Sequence, residues 1–371
     1  MKRVAVVWAL FFLLGCTSAC RHGAPAARFG AVPPGETEPA RVLITEDTTV
    51  AVMLDPSSSD QSTELTAELG ARVVRPRDGT GPGVIIVPGG GDVSFEGTRK
   101  GDGVATYNRP VAVSTAWAEA LARRGAVTLA YDKRTCGPND VPTCTKNPQH
   151  DVDKEGPAAL ARDVDAACAV LKTVPGFDGR IVLFAHGQAG QVALSSTCAR
   201  KAVAIVLLSP IPRAVDEVLV DALRARQART EKEAAKAKEP EGKEALLRKA
   251  TELKGAAASK EASFASMRGG KFEKNARVEG ATVSFWLGWI DLTKKSRDLV
   301  SAVKDRALVV TARGDLQASD RDRAAQKALP ARLTVEVDAD YNLLTDGALA
   351  PATVDQVGAA LDTLMQGTPT S

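Results

Sequence analysis

The sequence predicts an α/β fold: a mostly parallel central sheet with helices on both faces, and a charged helical lid inserted after strand six. Three observations lead there. The segments 83–87, 125–131, 181–185, 202–208 and 307–311 are almost unbroken apolar runs, as expected of strands covered on both faces. Stretches with helical spacing alternate with them. Near residues 214–279 the texture changes to Ala, Lys, Glu and Arg, so a polar element interrupts the alternation. The 371 residues are 44% hydrophobic, enough for one sizeable core.

In chain order, Val42–Thr45, Thr49–Leu54 and Thr66–Val74 read as β-type segments with polar breaks. Gly83–Val87 feeds the glycine loop Pro88–Gly91, and Val111–Arg124 is helical before the strand Gly125–Tyr131. Pro157–Thr173 is an amphipathic helix stopped by Pro175 and Gly176. A strand within 180–186 runs through a sharp turn into a helix ending near Ser196, followed by the strand Ala202–Leu208. Arg224–Glu261 reads as a solvated helical hairpin broken at Pro240 and Gly242. The pattern then resumes with Ala307–Thr311, a helix Asp320–Ala328, the strand Leu333–Val337 and a helix Thr353–Leu364.

The amino terminus reads as an export signal. Lys2 and Arg3 precede the apolar stretch Val4–Leu14, which is too short to span a bilayer as a mature helix. Leu13-Leu14-Gly15-Cys16 resembles a bacterial lipobox, with Cys16 as the lipidated residue; ordinary cleavage near Ala19 is the alternative. Thr17 lacks the aspartate associated with inner-membrane retention, so an outer-membrane address is favoured. The resulting division is 1–15 signal peptide, 16–41 flexible tether, 42–211 and 280–368 core, and 212–279 lid. Membrane attachment is then expected through the lipid alone.

Export makes disulfides permissible. Beyond Cys16 and Cys20, Cys136 and Cys144 bracket a short loop and are the favoured pair, while Cys168 and Cys198 either pair or stay as buried thiols. No cysteine or histidine spacing suggests a metal site, and nothing suggests another cofactor. The net charge of +3 and an aromatic content of 4% argue against nucleic acid as a partner.

The chemistry centres on residues 180–190, RIVLFAHGQAG. A buried strand, a sharp turn and a helix form the setting of a nucleophile elbow, G-x-S-x-G. Here Ala185 and Ala189 take the flanking small positions, and Gly187 stands where the serine would be. Of three histidines, none lies beyond His186.

Several stretches together resemble the alpha/beta-hydrolase superfamily, in its serine aminopeptidase-like and dienelactone hydrolase-like branch. They are 84–91 (VIIVPGGG), 121–134 (LARRGAVTLAYDKR), 184–190 (FAHGQAG) and 285–289 (FWLGW). The resemblance covers about residues 64–211 and 284–366. It implies a catalytic triad whose nucleophile falls on Gly187, whose acid falls on Asp315 and whose base falls on Leu343, within the segment 341–344 (YNLL). Two of the three groups are absent. In a serine hydrolase, losing the serine or the histidine costs roughly 10⁶-fold in turnover, about 8 kcal/mol of barrier.

The resemblance also implies an oxyanion-type ligand site built from the backbone N–H groups of Gly90 and Gln188. His186 is expected to pack rather than react, His150 to be solvated beside Asp151, and Asp132, Lys133 and Arg134 to form a structural charge cluster. Asp92 and Ser94 are the other oxygens near the glycine loop. The sequence therefore points to a non-catalytic module, either binding a small molecule in the vestigial pocket or meeting an envelope protein at the lid. The competing reading is an esterase or peptidase with a non-standard nucleophile.

Overall fold

The computed structural model describes Phe29 and residues 41–53, 66–90, 94–96, 112–134 and 156–366. Cys16, Cys20, Cys136, Cys144, Asp92 and His150 lie outside these residues.

Eight strands form the main sheet: β1 (Leu43–Met53), β2 (Thr66–Pro76), β3 (Gly81–Val87), β4 (Val127–Tyr131), β5 (Phe177–His186), β6 (Ala204–Leu208), β9 (Ala307–Ala312) and β10 (Leu333–Val337). Their spatial order is β1-β2-β4-β3-β5-β6-β9-β10. The β1–β2 and β2–β4 pairs are antiparallel and every later pair is parallel. The two β-type segments expected between residues 42 and 54 form one continuous strand, because the polar Glu46–Thr48 pairs with Ala71–Val73 at a half-exposed edge.

The two-residue period of the strands sorts the core into two layers. Ile85, Leu129, Leu183, Leu207 and Val309 face one way, against α2 (Pro157–Leu171) and α3 (Ala189–Ser195). Val84, Ala130, Val182, Phe184, Val206 and Val310 face the other, against α1 (Val113–Arg123) and α9 (Pro351–Gln366). A sheet covered on both sides has no polar face to alternate with, which is why its strands read as solid apolar runs. Phe29, within the expected tether, is fully buried in this second layer, and its N–H donates to the Asp362 carboxylate at 2.9 Å. At that position the chain is docked on the body.

Cys168 of α2 and Cys198, in the short turn after α3, form a disulfide, which settles the choice left open between pairing and free thiols. The charge cluster after β4 is structural too. Arg134 and Asp163, 1% and 2% exposed, form a two-pronged pair with Nε to Oδ2 at 2.7 Å. Asp132 accepts the Phe95 N–H at 2.7 Å.

The insertion is a helical hairpin, α4 (Val215–Lys236) and α5 (Pro240–Arg268). Pro240 takes the first turn of α5, where its missing N–H costs nothing, and Gly242 lies inside the helix rather than at a break. A small β-ribbon, β7 (Arg277–Val278) and β8 (Ala281–Thr282), leads to α6 (Val283–Lys294); α7 (Ser296–Ala302) and α8 (Asp320–Lys327) complete the helices. Ion pairs tie the hairpin down. Asp216 meets Arg268 at 2.6 Å, and Arg224 meets Glu261 at 2.7 Å. Arg213 holds Glu217 and Asp221 of α4 together with the buried Asp322 of α8. Among the described residues, no helix is long and apolar enough to cross a membrane.

Candidate functional site

Ligands of open α/β sheets bind beyond the carboxyl ends of the strands, and here a cavity of about 280 Å³ occupies that place. Its floor comes from the turns after β3 (Gly90), β5 (Gln188), β6 (Ser209) and β9 (Asp315), and Tyr341 closes one side. The roof comes from Val215, Val218 and Leu219 of α4 with Phe285, Trp286 and Trp289 of α6. The aromatic groups stand edge-on to one another, Phe285 at 5.5 Å from Trp286 and 6.4 Å from Trp289 between ring centres. The 285–289 stretch is therefore a wall of the cavity.

The turn after β5 has the elbow's backbone. Gly187 has φ +59°, its N–H donates to the Leu208 carbonyl at 2.8 Å, and its own carbonyl accepts from Gly190 at 3.1 Å. Holding a residue with a side chain there costs about 1–3 kcal/mol; glycine adopts it with little strain. The space is also taken. A Cβ built on Gly187 would fall inside the contact shell of the Tyr341 hydroxyl oxygen. The volume of a nucleophile's side chain is occupied by a phenol.

Tyr341 is fixed by its neighbour in the elbow. His186 Nε2 lies 2.8 Å from the Tyr341 carbonyl, which can only accept, so that nitrogen carries the proton. The two rings pack at 4.5 Å. With Nε2 donating to main chain, His186 is a structural clamp for the 341 loop.

The remaining triad-equivalent positions separate. Asp315 lies at the cavity wall, 2% exposed, and its Oδ1 accepts from the N–H groups of Gln317 (2.7 Å) and Ala318 (3.1 Å). Burial raises its pKa above the usual carboxylate value, against the lowering by those two N–H bonds. The carboxyl closes its own loop. Leu343 has φ +62° and no exposure, and its side chain belongs to the second core layer rather than to the cavity. The residue this loop presents beside Gly187 is Tyr341. Gly90 and Gln188 both line the cavity floor.

Ser209 escapes sequence reasoning. It follows β6 with φ +43°, is 3% exposed, lines the cavity, and its hydroxyl has no hydrogen-bond partner among the described residues. The Trp289 indole Nε1 is likewise buried without a partner among the described residues. Each such group carries a desolvation cost of about 1–3 kcal/mol. The signal for Ser209 in the sequence is slight: a small polar residue between an apolar run and Pro210. Among the described residues no cluster suits a metal ion.

Comparison with known proteins adds the following. A model of the alpha/beta hydrolase family matches residues 84–352, most of the chain. The peroxisomal alpha-beta-hydrolase Lpx1 of Saccharomyces cerevisiae is similar in structure at 13% identity and a TM-score of 0.50, covering 89% of this chain and 92% of its own. An esterase of Pyrococcus furiosus aligns at 15% identity and a TM-score of 0.48, over 93% of this chain and 100% of its own. A thermophilic esterase from Thermogutta terrifontis aligns at 16% identity and a TM-score of 0.46, over 86% and 99%. A search of curated proteins returns no match.

Proposed function

The chain belongs to the alpha/beta-hydrolase family, and from that membership we propose a protein that uses the hydrolase cavity to bind a small molecule without hydrolysing it. The observation that carries this reading is the turn at Gly187, where the nucleophile's position is glycine and its volume is filled by the Tyr341 hydroxyl. Covalent catalysis needs an oxygen or sulfur at the attacking position and a base to activate it. Gly187 offers neither, and the one histidine among the described residues has its Nε2 committed to a carbonyl. The motif at 121–134 supports a reading within the serine aminopeptidase-like and dienelactone hydrolase-like branch. The amino-terminal features support export and lipid anchoring at Cys16, with the outer membrane as the address; labelled palmitate should enter the wild type and not Cys16→Ala.

The test of the main reading is a fluorophosphonate probe together with turnover of short acyl esters. No labelling and no turnover above the uncatalysed rate are expected. One observation favours a second reading, a hydrolase with a displaced nucleophile: Ser209 carries a buried, unpartnered hydroxyl on a strained turn one strand away. Probe labelling that maps to Ser209 would establish that reading and end the first.

A further inference from the structure

We infer that the cavity holds a small organic amine, with its protonated nitrogen on the open carboxylate oxygen of Asp315 and its apolar body under the roof formed by α4 and α6. The inference rests on the binding role proposed above and names the class of ligand. Asp315 is 2% exposed and lines the cavity. Its Oδ1 accepts the N–H groups of Gln317 and Ala318, and its Oδ2 has no hydrogen-bond or ion-pair partner among the described residues. Unlike the Ser209 hydroxyl, Oδ2 is not fully covered, and the cavity is the space onto which it opens. A carboxylate oxygen can only accept, so an occupant meets Oδ2 by donating to it.

Charge decides what kind of donor. A donor that is itself a cation makes a bond about twice as strong as a neutral one, and a buried carboxylate is costly without an opposite charge. Burial raises the Asp315 pKa and Asp340 adds to the rise, against the lowering by the two N–H groups and by Arg323, so an ammonium supplies charge that the empty site lacks. The wall includes Asp315 and Asp322 and no lysine, arginine or histidine. Asp322 is taken by Arg213 and by the Ser319 hydroxyl, which leaves Asp315 as the acid that faces a ligand. The guanidiniums whose charge reaches Asp315 are Arg323 and Arg229, and neither is a wall residue. Arg323 is bonded to the Asp315 and Ala318 carbonyls and to Asp320, and Arg229 to the Leu316 carbonyl. Gln188, Gln317 and Gln326 carry donors and acceptors alike and suit either sign. The rest of the wall is apolar, and the ring faces of Phe285, Trp286 and Trp289 attract cations rather than anions. About 280 Å³ is near the lower end of the roughly 300–1,000 Å³ common for ligand sites, which suits a single-ring molecule.

The experiment uses four fluorinated benzenes of similar size, with binding to the purified full chain read by ¹⁹F NMR at neutral pH: 4-fluorobenzylamine, 4-fluorobenzyl alcohol, 1-ethyl-4-fluorobenzene and 4-fluorobenzoate. The amine should bind about tenfold more tightly than the hydrocarbon, the gain from one hydrogen bond to a charged group. The alcohol should fall between them and the benzoate should bind most weakly. The amine should also displace the hydrocarbon, since both occupy one cavity. Asp315→Asn keeps an oxygen for the Gln317 and Ala318 N–H groups and removes the charge. It should cut the amine's advantage to less than about twofold and leave the hydrocarbon's affinity within about twofold. Should Asp315→Asn fail to fold, the order of the four probes and the displacement on the wild type still decide. Equal binding of amine and hydrocarbon, an advantage that survives Asp315→Asn, an amine that leaves the hydrocarbon in place, or tightest binding of alcohol or benzoate would overturn the inference and leave a binding cavity standing. Silence from all four probes would overturn the binding role itself, and the inference with it.

Discussion

The turns after β5 and β6 lie side by side at the carboxyl edge of the sheet, and both place a residue at positive φ. At the first the residue is glycine, φ +59°, which takes the geometry with little strain. At the second it is serine, φ +43°, with a buried hydroxyl that lacks a partner. A hydrolase would show the reverse, strain and a hydroxyl at the β5 turn. Strain concentrates where a site uses it. The contrast moves the strained, hydroxyl-bearing turn from the end of β5 to the end of β6.

The largest expected effect belongs to a third strand end, where the unfavourable quantity is charge rather than backbone. Asp132 follows β4 directly and is 2% exposed; burial raises its pKa from 3.8 to about 7, with Glu96 adding to the rise. The folded state therefore binds a proton that the unfolded state has released between about pH 4 and pH 7. Stability falls as pH rises through that window and levels off above it. Asp132→Asn keeps an oxygen for the Phe95 N–H and removes the ionisation. Its stability relative to wild type should grow by up to about 4 kcal/mol between pH 4 and pH 8, read from urea midpoints across the range. Parallel profiles would show that edge strain is confined to the two turns.

Next comes Gly187→Ser, which attacks the contrast directly. The serine must accept a positive φ and displace the Tyr341 hydroxyl, a combined loss of about 2–3 kcal/mol in chemical denaturation. It should show no ester turnover. In a Tyr341→Phe background the steric part disappears, so the same substitution should cost only about 1 kcal/mol. If both backgrounds lose equally, the phenol does not fill the nucleophile's volume.

How much of this was legible follows from the kind of signal each feature leaves. The sheet was readable because two-sided burial forces long apolar runs, as in Val84–Val87 and Ala204–Leu208. Gly187 was readable because the elbow has a fixed local spelling. The resemblance assigns the triad's third position to the 341–344 loop, but which of its side chains faces the cavity depends on backbone angles. With Leu343 at φ +62°, its side chain turns into the core and Tyr341 takes the pocket side. Phe29 shows the same limit. A phenylalanine in an Ala, Gly, Pro and Arg stretch gives no periodicity, and its N–H is held by Asp362, 333 positions away. Ser209 and Trp289 gain meaning only from the missing partner, which is a three-dimensional fact.

The smallest effect is the sharpest test of the comparison. Ser209→Ala removes the buried hydroxyl and keeps the positive φ, whereas Ser209→Gly removes the hydroxyl and relaxes the backbone. Relaxation is worth about 1–3 kcal/mol, opposed by the roughly 0.5–1 kcal/mol that glycine gives to the flexibility of the unfolded chain. Ser209→Gly should therefore exceed Ser209→Ala in stability by about 1 kcal/mol, measured by chemical denaturation of both. A Ser209→Gly protein less stable than Ser209→Ala would mean that the β6 turn stores no strain. The two turns would then differ only in chemistry.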